Sequence, residues 1–92
     1  MKKILVVDDS STMRRMVKAS LQKLTEVKFE EASTGLEAIE RLVLSPVDLM
    51  VLDLNMPDMH GLDVLKFMRE HQIYRNIPVI VLNNPDKDKL KQ

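Results

Sequence analysis

Short apolar runs alternate along the chain with segments whose apolar residues have helical spacing. The runs predict strands at residues 3–7, 27–31, 49–53 and 78–82. Four consecutive apolar residues in the first run (4–7) and in the third (49–52) are typical of parallel strands buried on both faces. The second run alternates apolar and charged residues, which places it at the edge of the sheet.

The segments between the runs predict amphipathic helices. The first helix follows hydroxyl side chains at 10–12, which can cap it, and its apolar positions extend from Met13 through Met16 to Leu24. Further helices are predicted at 36–44, at 62–70 and from Lys87 onward. The order βαβαβαβ predicts one α/β domain over residues 1–92, a doubly wound parallel sheet with helices on both faces.

Three carboxylates lie at the carboxyl ends of the first and third predicted strands. In a doubly wound sheet the strand order reverses between these two strands, and ligands bind at that point. We therefore expect Asp8, Asp9 and Asp53 to lie together. Their mutual repulsion is relieved by a proton or by a cation, and an all-oxygen site suits Mg²⁺. Asp53, alone at its strand end, is the candidate nucleophile toward a phosphoryl group.

Each part of this acidic group also has a purely structural interpretation. The acids at 8 and 9 followed by two serines form an ordinary helix start, where the helix dipole favours negative charge. Asp53 can simply end a strand. A metal-dependent phosphatase is disfavoured, because its general acid is expected at position 55, which is Asn. The joint placement of the three acids at one point of the sheet favours the metal site.

Composition argues against several other classes of function. The 14 basic residues balance 14 acidic ones and aromatic residues make up 3%, so we expect no nucleic-acid partner and no membrane. The absence of Cys excludes disulfides and thiolate metal sites. The longest apolar runs are far too short to span a bilayer, and we expect a cytoplasmic protein. The basic residues Arg14, Arg15 and Lys18 are interpreted as a solvated helix face.

Three motifs resemble the receiver domain of two-component response regulators, most closely the single-domain chemotaxis type. They are Leu5-Val6-Val7-Asp8-Asp9-Ser10, Val51-Leu52-Asp53-Leu54-Asn55-Met56-Pro57, and the loop through Asp58 and His60 to Gly61. The resemblance covers the whole chain and implies a flavodoxin-like topology. It also implies that Asp53 accepts phosphate from a phosphohistidine on a sensor histidine kinase or a histidine phosphotransfer protein, which the first helix can contact.

The same resemblance assigns roles to the residues around Asp53. Asp9 would coordinate Mg²⁺ directly, Asp8 would act mainly through water, and the backbone carbonyl of Asn55 would complete the protein ligands. The Asn55 side chain would influence the lifetime of the acyl phosphate. Pro57 and Gly61 would shape the loop over the site, although ordinary turn chemistry explains them equally well.

The sequence departs from the receiver pattern in two places. The family has Ser or Thr thirty residues after the phosphoacceptor to bond the phosphate, and here that position is Asn83. Its amide can donate instead, although Asn83 can equally be part of a turn. The chain also stops inside the fourth helix, without the last strand, its phosphate-binding Lys or the last helix. Because that Lys would make charge-assisted contacts with the phosphate, we expect impaired phosphorylation.

Two interpretations therefore remain open. The chain is either a phosphoacceptor module or a receiver-like fragment that no longer switches and serves as an interaction or structural protein. In both cases the fourth strand is expected to have an unpaired edge, and one face of the sheet is expected to lack a covering helix. We expect a homo-oligomer that forms through these surfaces.

Overall fold

Four parallel strands form one sheet in the computed structural model, which describes residues 1–24, 26–56 and 61–82. The strands are β1 (Lys2–Val7), β2 (Val27–Ala32), β3 (Leu49–Asp53) and β4 (Val79–Leu82). They lie in the order β2-β1-β3-β4, which confirms that β2 is an edge strand. The strand order reverses between β1 and β3, as predicted.

Three helices connect the strands: α1 (Ser11–Leu21), α2 (Gly35–Leu44) and α3 (Gly61–Glu70). Hydroxyl groups cap the first two. Ser10 Oγ accepts from the amide of Met13 (3.3 Å), and Thr34 Oγ1 accepts from the amide of Glu37 (3.0 Å). The bounds of α2 and α3 were predictable to within one residue, because the apolar periodicity of both helices is clear. Each helix starts one residue earlier than predicted. No helix in the described ranges is long and apolar enough to cross a membrane.

The predicted apolar face of α1 is wrong at two positions. The helix ends at Leu21, and Leu24 lies beyond it, 51% exposed, with its amide donating to the Leu21 carbonyl (3.1 Å). Met16 is 57% exposed. Val17 and Leu21, four residues apart, occupy the face that meets the sheet. Met16 lies about 100° around the helix from Val17, which turns it toward solvent.

The sheet carries an apolar core on each face, which confirms the doubly wound arrangement. Helices α2 and α3 cover one core, which contains Leu5, Val7, Ala32, Ala38, Leu42, Val47, Met50, Leu52, Met56, Val64 and Met68. Helix α1 covers the other, built from Ile4, Val6 and Val51 with partly buried neighbours. Successive residues of β1 and β3 therefore alternate between the two cores. Since α1 has no fully buried residue, its face of the sheet is the more thinly covered.

Ion pairs tie α1 to β2. Arg14 Nε donates to Glu31 Oε1 (2.8 Å), and Lys18 Nζ donates to Glu31 Oε2 (2.9 Å). The hydrogen bonds from Lys18 and Arg14 hold the pKa of the Glu31 carboxyl below its ordinary value. The Glu31 side chain is 39% exposed, so water screens much of this attraction.

Helix α3 begins against the end of β3 at Gly61. The Gly61 amide donates to the Leu54 carbonyl (3.3 Å). A Cβ placed on Gly61 would lie 2.5 Å from the Asp53 carbonyl oxygen and 2.8 Å from Leu54 Cα, which are both backbone atoms. Gly61 does not have a positive φ. Glycine is therefore required here by the close approach of α3 to β3. Turn chemistry, the alternative considered from the sequence, does not require it, because φ is not positive.

The outer edge of β4 has no strand partner within the described ranges. β4 pairs only with β3 there, and Ile80 and Val81 are 46% and 43% exposed. The strand begins at Val79 and not at Pro78, which has no amide hydrogen, although the Pro78 carbonyl accepts from the amide of Met50 (3.0 Å).

Several predictions from the sequence concern positions outside the described residues. These are the proposals for Pro57, Asp58, His60 and Asn83, and the helix expected from Lys87.

Glu31→Gln should remove a pH-dependent part of the folding free energy. A carboxyl whose pKa is lowered by folding stabilises the protein above its unfolded-state pKa, and this contribution is lost as the pH falls through the folded-state pKa. We expect the wild type to be more stable than the variant by roughly 0.2–1 kcal/mol near neutral pH, the size of an exposed ion pair. The difference should shrink below the ordinary Glu value of 4.5. Urea unfolding across this pH range measures it.

The control for this experiment is Glu40→Gln. Glu40 is exposed on α2 and takes part in none of the ion pairs within residues 1–24, 26–56 and 61–82, so its replacement should give a small difference that does not change with pH. A wild-type advantage over Glu31→Gln that stayed constant far below the ordinary Glu pKa would contradict the assignment.

Gly61→Ala should destabilise the protein by about 1–3 kcal/mol, the usual range for overpacking. The added methyl group meets backbone on β3, so either the start of α3 or the end of β3 must move. Denaturant unfolding measures the change. Leu62→Ala is the matched control, because Leu62 is 64% exposed and its truncation should alter stability by about 0.5 kcal/mol or less. Equal stability of the two variants would show that the contact is unimportant.

Candidate metal centre

Two neighbouring strands bring three carboxylates to one point. Asp8 directly follows β1, and Asp53 is the last residue of β3. Asp8, Asp9 and Asp53 each offer one carboxylate oxygen such that the three atoms lie within 4.8 Å of one another. The convergence expected from the sequence is therefore present in the structure.

The two carboxylates at the strand ends are buried and oriented by amides two residues later. Asp8 and Asp53 are 2% and 1% exposed, and Asp9 is half-buried. Asp8 Oδ1 accepts from the amide of Ser10 (2.9 Å), and Asp53 Oδ1 accepts from the amide of Asn55 (3.0 Å). Each bond closes a small side-chain turn that fixes the carboxylate relative to its own backbone.

Backbone hydrogen bonds extend the sheet into the site from both sides. The Asp8 amide donates to the Ala32 carbonyl (3.0 Å), which continues the pairing of β1 with β2. The Leu54 amide donates to the Leu82 carbonyl (3.0 Å), which continues the pairing of β3 with β4. The segments on either side of the carboxylates are thus hydrogen-bonded to the neighbouring strands.

This set of donors fits a hard divalent cation. At an effective dielectric constant of about 20, two unit charges 4.8 Å apart repel by roughly 3.5 kcal/mol, and the site holds three such groups. Carboxylate oxygens are the ligands that Mg²⁺ and Mn²⁺ prefer, and Mg²⁺ commonly keeps several waters beside one or two carboxylates. Asp8, Asp9 and Asp53 could therefore hold such an ion. The exposed Asn55 adjoins them and could add its backbone carbonyl.

One basic residue at the site was not anticipated from the sequence. The sequence predicts a solvated helix face that includes Arg14, but the Arg14 side chain is 16% exposed, and Nη1 donates to the carbonyl oxygen of Asp8 (2.6 Å). Arg15 beside it is exposed, as expected. The sequence does place Arg14 within one helical turn of Ser10, which caps α1, but it cannot show that the Asp8 carbonyl lies within reach.

The sequence also matches a known protein family. Residues 4–92 match the family described as "Response regulator receiver domain". Over 81 residues the chain is 43% identical to "Chemotaxis protein CheY1" of Helicobacter pylori, and over 80 residues it is 44% identical to "Chemotaxis protein CheY-3" of Vibrio cholerae. Each alignment covers 87% of this chain but only 65% and 62% of the respective relative. The chain thus spans slightly less than two thirds of the length of these relatives.

Solved structures of similar proteins have the same architecture. Chemotaxis protein CheY4 of Vibrio cholerae has a TM-score of 0.79 at 33% identity, with 97% of this chain and 76% of that chain covered. The Mn²⁺-bound form of response regulator Rcp1 has a TM-score of 0.82 at 33% identity, with 95% and 70% covered. The sheet order, the acidic cluster and these similarities lead to one conclusion: the chain belongs to the response regulator receiver domain family.

Proposed function

We propose that this chain is the phosphoacceptor module of a two-component phosphorelay, in which Asp53 accepts a phosphoryl group beside a bound Mg²⁺. The observation that supports this proposal is the convergence of Asp53, almost fully buried, with Asp8 and Asp9 within 4.8 Å. Membership of the receiver family and similarity to proteins named for chemotaxis support it further.

Asp53 has the environment of a positioned nucleophile. The Asn55 amide holds Asp53 Oδ1, and the sheet fixes the backbone on both sides of the residue. In the proposed reaction a carboxylate oxygen of Asp53 forms a bond to phosphorus while the bond from phosphorus to the imidazole nitrogen of a phosphohistidine breaks. The electron pair of that bond returns to the imidazole, and Asp53 becomes an acyl phosphate.

A bound Mg²⁺ would offset the charge of the carboxylates and of the incoming phosphoryl group, which otherwise repel each other. We assign Asp9 as a direct ligand, Asp8 as a ligand acting mainly through water, and Asp53 and the Asn55 carbonyl as the other protein donors. The Asn55 side chain and Asn83 are the proposed neighbours of the phosphate.

The proposed donor is a sensor histidine kinase or a histidine phosphotransfer protein. The start of α1 lies directly after Asp9 and Ser10, and its residues Ser11, Thr12 and Arg15 are exposed. A partner that places a phosphohistidine near Asp53 would meet this surface.

A second candidate function is an interaction or structural role without switching. The chain aligns with less than two thirds of the length of its chemotaxis relatives. None of its 92 residues corresponds to the phosphate-binding Lys that the receiver resemblance places after a fifth strand. Asn83 stands at the position of the phosphate-binding hydroxyl. We therefore propose that phosphorylation of the 92-residue chain is impaired.

Acetyl phosphate with Mg²⁺ should label Asp53 to well below one phosphoryl group per chain. The label should be released by hydroxylamine, as an acyl phosphate is, and EDTA should prevent it. Asp53→Asn should take up no label. Asp63→Asn is the matched control, because Asp63 is exposed in the first turn of α3 and should be labelled like the wild type.

The outcomes separate the two candidates. Absence of label from the wild type at saturating Mg²⁺ would favour the role without switching. Full stoichiometric labelling would show that phosphorylation is not impaired, and label on Asp53→Asn would show that the phosphoacceptor is a different residue.

We further propose that two copies of the chain associate through the outer edge of β4. Unpaired strand edges pair readily with other chains, and two identical edges can pair antiparallel about a twofold axis. The exposed apolar side chains of Ile80 and Val81 would be covered in such a dimer, together with part of the thinly covered α1 face.

Analytical ultracentrifugation at micromolar concentration should show a dimer or a larger assembly. The double variant Ile80→Lys/Val81→Lys should shift the protein to monomer, because lysine charges at an edge oppose pairing. Ile73→Lys is the control, since Ile73 is 78% exposed but lies outside β4, and it should leave the assembly intact. A folded wild-type monomer would remove the proposal.

A further inference from the structure

Arg14 connects three parts of the fold at the candidate metal centre. Nη1 donates to the Asp8 carbonyl oxygen (2.6 Å), and Nε donates to Glu31 Oε1 on β2 (2.8 Å). The Arg14 amide donates to the Ser10 carbonyl (3.0 Å). The side chain is 16% exposed, in contrast to the exposed neighbour Arg15. A single residue thus bonds both ends of the turn 8–10, which carries two of the three acids.

We infer that Arg14, anchored by Glu31, is a positioning residue for the divalent cation: it holds the peptide that joins Asp8 to Asp9 and so orients both carboxylates. This inference rests on the proposed cation site and extends it to a residue that does not itself contact the ion.

The geometry of the peptide group explains how one hydrogen bond can orient two side chains. The carbonyl of Asp8 belongs to the planar unit that also contains the Cα atoms of Asp8 and Asp9. Fixing that carbonyl therefore restricts the plane from which both side chains depart. On the other side, the Asp8 amide is held by the Ala32 carbonyl at 3.0 Å. The Asp8 backbone is thus held from β2 and from α1 together.

Glu31 reduces the electrostatic cost of placing the Arg14 guanidinium beside the candidate metal centre. A positive group beside a cation site repels the ion, but Arg14 donates to the Glu31 carboxylate, which offsets part of its charge. The compensation is partial because Glu31 also pairs with Lys18. The planar guanidinium has donors in a fixed arrangement and can serve Glu31 and the Asp8 carbonyl at once, which the single ammonium group of lysine does less well.

Charge and geometry predict opposite effects when Arg14 is replaced. Coulomb's law alone predicts that Arg14→Gln binds a divalent cation more tightly, because a positive charge is removed near the carboxylates. Loss of positioning predicts weaker binding. Outer partners of metal ligands typically contribute about 10–100-fold to affinity, and we expect the lower end, about 10-fold, because Arg14 acts through the backbone.

The test is titration with Mn²⁺, followed by the electron paramagnetic resonance signal of the free ion. It is performed at a temperature at which circular dichroism shows each variant fully folded, so that the Kd describes the folded protein. Arg14→Gln should raise the Kd about 10-fold. Arg14→Lys, which keeps the charge but not the fork of donors, should fail to restore wild-type affinity. Arg15→Gln is the matched control and should stay within about twofold of the wild type, since Arg15 is exposed on the same helix.

Hydrogen exchange of the Ser10 amide without metal gives a second readout. This amide donates to Asp8 Oδ1, so a loosened turn should exchange faster in Arg14→Gln but not in Arg15→Gln. If Arg14→Gln does not fold, Glu31→Gln replaces it, because that variant removes the charged anchor and leaves the guanidinium in place. Loss of the Glu31 charge weakens cation binding by itself, so the readout for this variant is the Ser10 amide, which should exchange faster than in the wild type.

The outcomes distinguish the failure of this inference from the failure of the proposed function. If the wild type binds Mn²⁺ and Arg14→Gln binds as tightly as Arg15→Gln or more tightly, Arg14 has no positioning role. Unchanged exchange of the Ser10 amide in Glu31→Gln, where that variant is needed, overturns the inference in the same way. If the wild type itself does not bind Mn²⁺, the cation site of the proposed function is wrong, and the inference is lost with it.

Discussion

The pairing of β1 with β3 is the constraint on which the candidate site depends. Val7 pairs with Leu52, so Asp8 and Asp53 are the next residues on two neighbouring strands that run in the same direction. A slip of one residue would turn every side chain of a strand to the opposite face and so exchange residues between the two cores, which are packed by different helices. The apolar residues that fix this register, such as Leu5 and Met50, therefore also fix the separation of the carboxylates.

The buried carboxylates of the candidate site lower the stability of the folded protein. Asp8 and Asp53 are buried as deeply as the apolar core, where each carboxylate loses hydration and is repelled by its neighbours. A domain of about this size has a small margin of stability from which to offset such a conflict. Amide donors from Ser10 and Asn55 compensate part of it. A cation that binds the folded state alone would compensate more, since such binding stabilises the folded state by mass action.

The order of elements and the acidic cluster were predictable from the sequence, because both follow from strong local patterns. The apolar runs of β1 and β3 identify buried parallel strands, and the topology of such strands brings the residues after them together. The two exposed positions on the α1 side were less predictable. An apolar residue such as Met16 or Leu24 fits a helical pattern whether or not the sheet covers it.

Arg14 and Gly61 show what the sequence could not supply. Helical periodicity correctly places Arg14 off the apolar face of α1, but whether a polar side chain meets water or a carbonyl depends on which loop lies opposite. Gly61 follows a loop that contains proline, so turn chemistry is a sufficient local explanation. Its actual constraint is the Asp53 carbonyl, a contact that exists only after α3 has packed against β3. Both residues act on the backbone of an acidic residue, and tertiary contacts of this kind leave no periodic signal.

The acids of the site depend on opposite halves of the sheet. Asp8 is held through the Ala32 carbonyl on β2 and through Arg14 on α1, whereas the chain after Asp53 is held through the Leu82 carbonyl on β4. Within the described residues the outer edge of β4 is open. An association that moved or stiffened β4 would therefore reach Asp53 through the hydrogen bond that the Leu54 amide donates to the Leu82 carbonyl. Since a cation bound at this point would need carboxylates from both halves, its affinity would measure whether β2-β1 and β3-β4 are correctly placed relative to each other. Cation binding would thus depend on the same strand pairing that holds the sheet together.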